Sequence, residues 1–390
     1  MSTAVAVFAA SVAFIVYVLI GYPILLAIYA RLTSKPIRKE PGQKRLSIII
    51  PVRNGASWIE GKVRSLLASN YPPELIDILI VSDGSTDATN DLVQRYPDSR
   101  VRLLALPSRG KATAITQGLE HALGEILVLT DVRQEFDPDA LAKLVACFAD
   151  PSVGVVTGEL VIGHGLGLEE YNTGLYWRYE KWIRRSLNRI DAMLGATGSI
   201  YAIRRELAAP IPPDILVDDV YLPFVAVFRG FRIYFETEAK AYDLPTSLRS
   251  EFWRKVRTQA GVYQILFHFP ALLSPANGRF VHFLSHKLGR LLIPFALLAI
   301  LISSFGLPPR WREIALIGQA GFYSLALVDP LISERNPVKR FSAAVRAFIV
   351  LVAAALCATA VFFLPARKLW KETRVGPARE SGAVERSHQS

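Results

Sequence analysis

Between Leu46 and Tyr263, short apolar runs alternate with stretches of helical periodicity, and this alternation constrains the fold more than any other feature. Leu46–Pro51, Ile76–Val81, Val101–Leu106 and Ile126–Thr130 are almost continuously apolar and of strand length. Between them, Trp58, Ile59, Val63, Leu66 and Leu67, then Ala88–Arg95, then Ala112, Ile115, Leu119 and Ala122, mark helix faces. A helix follows at Pro138–Ala149, with Asp137 or Asp139 as its cap. Strands that lack a polar face and are joined by helices pair in parallel, with helices on both sides. The expected fold class is α/β, with a mostly parallel sheet. Val153–Thr157, Ser199–Ile203 and Arg232–Glu236 read as later strands, and an aromatic-rich helix runs from about Leu168 to Leu187.

Two of the runs stop on an acid, at Asp83 and at Asp131. In an open α/β sheet, ligands bind beyond the carboxyl ends of the strands, so both carboxylates face one crevice. Asp218-Asp219 and Arg254-Lys255-Val256-Arg257 follow. Acids able to hold a cation or take a proton, with arginines suited to a diphosphate, point to chemistry on a nucleotide-activated substrate.

Apolar segments bracket this unit. Ala4 to Leu32 is long enough to cross a bilayer once, and Leu288–Leu307, Ile314–Ile332 and Ala343–Leu364 are three further candidates. A cleaved signal peptide fits poorly, since Met1-Ser2-Thr3 carries no basic residue and the stretch exceeds an ordinary signal core. Arg31, Lys35, Arg38, Lys39, Lys44 and Arg45 follow at once and place the next unit in the cytoplasm. Four simple crossings would put the tail outside, whereas Arg367, Lys368, Lys371 and Arg374 favour the inside, so the span count stays open. Residues 264–287 mix phenylalanines with basic residues in the manner of an interfacial segment or of ordinary packing. The expected division is a membrane helix at 1–33, a catalytic unit at 46–262, an interfacial segment at 264–287, a membrane region at 288–364, and a basic, disordered tail at 365–390.

The net charge of +11 gathers near the spans, beside which anionic lipid is the natural partner. No basic stripe interleaved with aromatics argues for nucleic acid. The two cysteines, Cys147 and Cys357, supply neither a disulfide framework nor a thiolate metal site.

Pro51-Val52-Arg53-Asn54 and Val81-Ser82-Asp83-Gly84-Ser85-Thr86-Asp87 resemble the start of a family 2 glycosyltransferase domain of the GT-A fold. The resemblance continues through Arg109-Gly110-Lys111-Ala112, Leu129-Thr130-Asp131, Gly195-Ala196-Thr197-Gly198, Asp218-Asp219-Val220-Tyr221-Leu222 and Arg254-Lys255-Val256-Arg257-Thr258. With the flanking spans, it is similar to the membrane-embedded branch that includes cellulose, hyaluronan and poly-N-acetylglucosamine synthases.

The resemblance implies roles. Asp83 contacts the nucleotide base in a pocket shaped by Pro51 and Asn54; the same Asp-Gly-Ser-Thr-Asp is also good turn chemistry, and Asp87 reads as a helix cap. Lys111 reaches a phosphate or ribose, or is a solvated surface lysine. Asp131 matches the first acid of the family's Asp-x-Asp motif, which meets ribose and metal-diphosphate, so Mg²⁺ or Mn²⁺ is the expected cofactor. Arg133 stands where the second acid would be; it cannot ligate a metal but can hold the diphosphate directly. Asp219 matches the general base, with Asp218 beside it raising its proton affinity, and both acids also suit a helix N-terminus. Gly198 lets backbone approach the donor sugar or acceptor.

Arg257 matches the diphosphate-binding arginine of the Gln-x-x-Arg-Trp motif, in which Arg254 and Thr258 replace the glutamine and the tryptophan. Tyr176, Trp177, Tyr179 and Trp182 are other possible acceptor platforms, or core at helical spacing. The expectation is an inverting hexosyltransferase at a bacterial-type inner membrane. It would move a sugar from a nucleotide donor, a UDP-sugar by preference, to a glycan or lipid-linked hydroxyl, with export or polymerisation proteins as possible partners. Single addition to a lipid, or a silent nucleotide-sugar-binding subunit, are the alternatives.

Overall fold

The computed structural model describes residues 2–163, 168–244, 248–333 and 336–369. Eight strands form one sheet: β1 Leu46–Val52, β2 Ile76–Asp83, β3 Val101–Leu106, β4 Ile126–Leu129, β5 Glu135–Phe136, β6 Val153–Ile162, β7 Tyr201–Arg204 and β8 Arg232–Asp243. Their order is β3-β2-β1-β4-β7-β6-β8-β5. The α/β class is as expected, and β1 to β4 pair in parallel. Beyond them the sheet is mixed, because β7 runs antiparallel to both β4 and β6, and the short β5 is antiparallel to β8.

The runs of β1, β2 and β4 are buried on both faces with a period of two, and the edge strand β3 is only half-buried. Ile49, Leu79, Leu127 and Leu129 point into one core layer, against Ala112, Ile115 and Leu119 of the helix Lys111–His121. Ile48, Ile50, Ile78, Ile80, Ile126 and Val128 point into the other, against Ile59, Val63 and Leu66 of the helix Ala56–Leu67. Each such side chain removed from water contributes roughly 1.5–3 kcal/mol, so slipping one strand by a residue is prohibitive. Pro51 lacks an N–H but sits beyond the last β1–β4 pair, Ile49 with Leu129, where the strands diverge.

Parallel pairing delivers the ends of β1, β2 and β4 to one edge of the sheet. The reversed β7 has the opposite effect on its own ends: Tyr201 pairs with Leu129, so the loop preceding β7 reaches that same edge.

Among the described residues, four helices are long and apolar enough to cross a membrane: Thr3–Leu32, Phe280–Ser304, Pro309–Leu331 and Lys339–Phe362. The residues expected to form an interfacial segment at 264–287 divide between the end of the helix Leu248–His268, a short turn at Pro270–Leu273, and the start of the helix from Phe280. Thr3–Val16 packs along Gly289–Ser304, and Leu248–His268 packs along Lys339–Ala358. The helix that carries Arg254 and Arg257 is thereby braced against an apolar span. Most of the tail, residues 370–390, lies outside the described residues.

Candidate functional site

Asp83 ends β2 and is buried. Its carboxylate accepts the backbone N–H of Arg109 at 2.6 Å and that of Gly110 at 3.0 Å. Gly84 adopts φ +66°, and a Cβ there would meet the Ser108 nitrogen at 2.7 Å, so only glycine lets the two loops close this tightly. Asp83 therefore anchors the loop from which Lys111 starts its helix. Asn54, at φ 54°, accepts the Thr86 N–H at 2.8 Å and pins the loop after Pro51 to the Gly84–Asp87 turn. Asp87 accepts the N–H of Ala56 and of Thr89, each at 3.0 Å, and so caps two helices.

Lys111 links the acids. Its Nζ lies 2.9 Å from Asp131 Oδ1 and 3.3 Å from Asp218 Oδ1. Burial alone would depress the ammonium, but the two carboxylates outweigh it and raise its proton affinity. Burial likewise pushes Asp131 up, yet Lys111 first, then Arg257 and Arg133, hold it below the usual carboxylate range.

Asp218 and Asp219 open the helix Asp218–Phe228. Asp219 accepts the Gly198 N–H at 3.1 Å, and its own carbonyl accepts the Ala196 N–H at 2.7 Å, fastening the Gly195–Gly198 loop to this helix start. Burial, and then the charge of Asp218, push the Asp219 carboxyl up to about 6, against the opposing pull of Lys111 and Arg257. Half-buried Arg257 lies within electrostatic reach of Asp131, Asp219 and Asp218, which partly offset the effect of burial on it. Lys111, Asp131, Asp218, Asp219, Gly198 and Arg257 thus meet at the edge where the parallel strands end.

Two expected residues point elsewhere. Arg133 forms a fork with Asp243 at the end of β8, Nε to Oδ1 at 2.7 Å and Nη2 to Oδ2 at 2.5 Å. Arg254 pairs with Glu251 one turn back on its own helix. Thr258 donates its hydroxyl to the Arg254 carbonyl at 2.9 Å and offers no stacking surface. Of the four aromatics, the side chains of Tyr176 and Trp177 lie outside the described residues. Tyr179 donates to the Leu19 carbonyl at 2.8 Å, on the first span, and its ring lies 6.3 Å from that of Trp182.

The structure also adds residues that no local motif marks. Arg184 donates to Thr197 Oγ1 at 2.7 Å, stacks 4.6 Å over the Phe235 ring, and feels the charge of Asp219. Lys62 is fully buried and donates to Thr130 Oγ1 at 2.8 Å and to the Gln134 carbonyl at 2.5 Å, clasping both ends of the segment that holds Asp131 and Arg133. Their signals are single basic residues on amphipathic helices, which read as surface until the fold places them.

Among the described residues, no three histidine, cysteine, aspartate or glutamate side chains are grouped to hold a metal ion. Asp131 already carries the Lys111 ammonium at 2.9 Å. This donor set does not form a metal site without the oxygens of a ligand.

Residues 47–210 match the model of glycosyl transferase family 2. The poly-β-1,6-N-acetyl-D-glucosamine synthase of Staphylococcus aureus is 24% identical over 271 residues, which cover 64% of this chain and 65% of that protein. Its Staphylococcus epidermidis counterpart is 23% identical over the same length. The chain thus spans about 65% of the length of these curated relatives. Among solved structures, a mannosyltransferase from Pyrobaculum calidifontis, in complex with GDP-Man and Mn²⁺, superposes with a TM-score of 0.69 at 23% identity, covering 90% of this chain and 99% of that one. The shared architecture is the GT-A fold.

Proposed function

From the premise that this chain carries a glycosyl transferase family 2 domain, we propose that it is an inverting glycosyltransferase. It transfers a sugar from a nucleotide donor, a UDP-sugar by preference, to a hydroxyl of a polysaccharide or a lipid-linked acceptor. The reaction runs at the cytoplasmic face of a bacterial-type inner membrane, for which the four apolar helices are the candidate spans. The observation that carries this reading is the position of Asp219. Its proton affinity is raised, its carboxylate is steered by the Gly198 N–H, and cations stand on its flank.

The acceptor O–H gives its proton to Asp219 as the oxygen forms a bond to the anomeric carbon. The bond from that carbon to the diphosphate breaks on the opposite face, so configuration inverts and a nucleoside diphosphate leaves. A carboxyl that titrates near 6 is ionised at neutral pH and still basic enough to take the proton. Arg257 and Lys111 bear on the negative charge that develops on the leaving diphosphate. Asp83, through the loop it anchors, sets where Lys111 stands, and Pro51 and Asn54 border the nucleotide side of the cleft.

Asp131, together with the donor diphosphate, would hold Mg²⁺ or Mn²⁺, and the ion would supply further charge neutralisation there. A second reading, addition of one sugar to a lipid, is favoured by Thr258, whose hydroxyl is spent inside its own helix where a polymer-binding ring is expected.

The test is nucleoside diphosphate release from a panel of UDP- and GDP-sugars by the lipid-reconstituted protein, with acceptor present. Turnover with one donor, abolished in Asp219→Asn while that donor still binds, supports the assignment. Strong residual turnover in Asp219→Asn rejects Asp219 as base.

A further inference from the structure

Resting on that reading of the cleft, we propose that Lys287 and Arg184 form an anion seat on the acceptor side of Asp219, and that the acceptor is a membrane lipid whose phosphate rests there and presents a neighbouring hydroxyl to the base. Two sets of cations bear on Asp219. Lys111 and Arg257 also bear on Asp131, the donor side of the cleft. Lys287 and Arg184 instead share the field of Glu180. Glu180 does not neutralise them, because one of its oxygens is taken by Arg290 and the other lies 3.7 Å from His286 Nε2. Lys287 itself makes neither a hydrogen bond nor an ion pair among the described residues. With His286 neutral, Arg184, Lys287 and Arg290 still outnumber the one carboxylate, and the cluster carries net positive charge.

That charge stands on a rigid frame. Lys287 lies in the wide π-helical turn Phe283–Leu288, which leads into the apolar helix Gly289–Ser304. The turn is fixed against the first span: the Tyr17 and Ser285 hydroxyls are 2.9 Å apart, the Tyr22 hydroxyl lies 3.1 Å from His282 Nδ1, and a Cβ on Gly289 would meet Val18 at 3.0 Å. Arg184 is held by Thr197 and the Phe235 ring. An ammonium set among candidate spans is costly unless an anion meets it, and it marks a functional position for that reason. A neutral glycan would call for an aromatic platform, but Tyr179 is already committed, its hydroxyl to the Leu19 carbonyl and its ring to the Arg290 guanidinium at 5.6 Å. What the cluster offers is charge, which suits a phosphate. A phosphate could come from solution or from a lipid headgroup. The lipid is favoured because Lys287 belongs to the candidate span Phe280–Ser304. The phosphate serves as an anchor and not as the nucleophile: the hydroxyl beyond it gives its proton to Asp219 as its oxygen bonds to the anomeric carbon.

The experiment is a calorimetric titration of the full-length protein, in neutral detergent, with dioctanoyl phosphatidic acid, dioctanoylglycerol and inorganic phosphate. Wild type is expected to bind the phosphatidic acid at least about tenfold more tightly than either of the others. Lys287→Met should lose about tenfold or more of that affinity, and Lys287→Arg should keep most of it. Lys143→Met removes one charge from an exposed position on the helix Ala140–Ala146 and should bind as wild type does. Thermal melting of each variant establishes that it is folded; were Lys287→Met unstable, the three ligands on wild type still decide. Equal binding of phosphatidic acid and dioctanoylglycerol, or full affinity in folded Lys287→Met, overturns the proposal. Inorganic phosphate binding as tightly as the lipid overturns the lipid source. Saturating UDP should leave the lipid's affinity unchanged; competition between them would assign Lys287 to the donor diphosphate and overturn the proposal as well. Failure of UDP to bind at all removes the nucleotide cleft, while the lipid comparison stands on its own.

Discussion

Gly198 donates its backbone N–H to Asp219 Oδ2 at 3.1 Å, and a Cβ added at Gly198 would meet that same oxygen at 3.1 Å. The glycine is therefore the steering device for the proposed base. Gly198→Ala should tilt the Asp219 carboxylate away from the acceptor without touching the nucleotide side of the cleft. The expected result is a fall in kcat of roughly tenfold or more, as misplaced catalytic groups give, with donor Kd nearly unchanged. Steady-state kinetics paired with calorimetric donor binding check it; an equal loss in both would mean the loop serves the donor instead.

A carboxyl pushed up to about 6 is costly to bury in its ionised form. Its folded value lies above the ordinary one, so its contribution to stability is present at low pH and is lost as pH rises through the interval up to about 6. Asp219→Asn removes that titration. The variant should melt higher than wild type at pH 7 to 8, by an amount on the order of 1 kcal/mol given the partial exposure of the site, and the gap should close toward pH 4. In the active enzyme the acid limb of kcat/KM should fall near pH 6. Since Lys111 and Arg257 hold Asp219 down, any turnover left in Arg257→Gln should show that limb shifted to higher pH.

The fork between Arg133 and Asp243 makes a prediction that runs against the motif-based expectation. If Arg133 serves structure, Arg133→Met leaves a buried carboxylate whose remaining donors among the described residues are Gln134 and the Leu244 N–H, at 2.8 Å each. Stability should drop by about 3 kcal/mol, and replacing both partners as Arg133→Met with Asp243→Leu should recover most of it. Donor affinity in the folded double variant should be close to wild type. A large loss of donor affinity there would return Arg133 to the diphosphate.

What the sequence made legible follows from which forces are local. The strands β1, β2 and β4 could be read because each is buried on both faces, a pattern visible in one dimension, and the edge strand β3 because its run is still mostly apolar. The short β5 could not, since Glu135–Phe136 becomes a strand only by pairing with Tyr242 and Ala241 far along the chain. The acids at strand ends were legible for the same reason as the strands. Their partners were not: Arg133 looks like a ligand of the cleft until Asp243, 110 residues on, comes within reach of it. Arg184 and Lys62 carry no motif, because what makes them notable is burial, which depends on helices that pack from outside the run of residues around them.

Lys62 offers the clearest case of such a hidden group. Its amine sits 3.9 Å from the Phe136 ring centroid and is completely buried, and burial pushes its proton affinity well below the usual lysine value, opposed weakly by Asp131 and Glu135. Where the unfolded chain is protonated and the folded one is not, each fall in pH favours unfolding, so stability should rise as pH climbs toward the ordinary lysine value. Lys62→Met removes this dependence while leaving every other titrating group in place. The difference in melting temperature between wild type and Lys62→Met, measured from pH 7 to 9.5, should therefore move in favour of wild type as pH increases. A flat difference would mean that the amine stays protonated in its pocket, held by Thr130 and the Gln134 carbonyl. In either event the loss of both hydrogen bonds should loosen the segment around Asp131, and donor Kd in Lys62→Met should weaken by about one order of magnitude, an amount in keeping with two buried acceptors left unpaired.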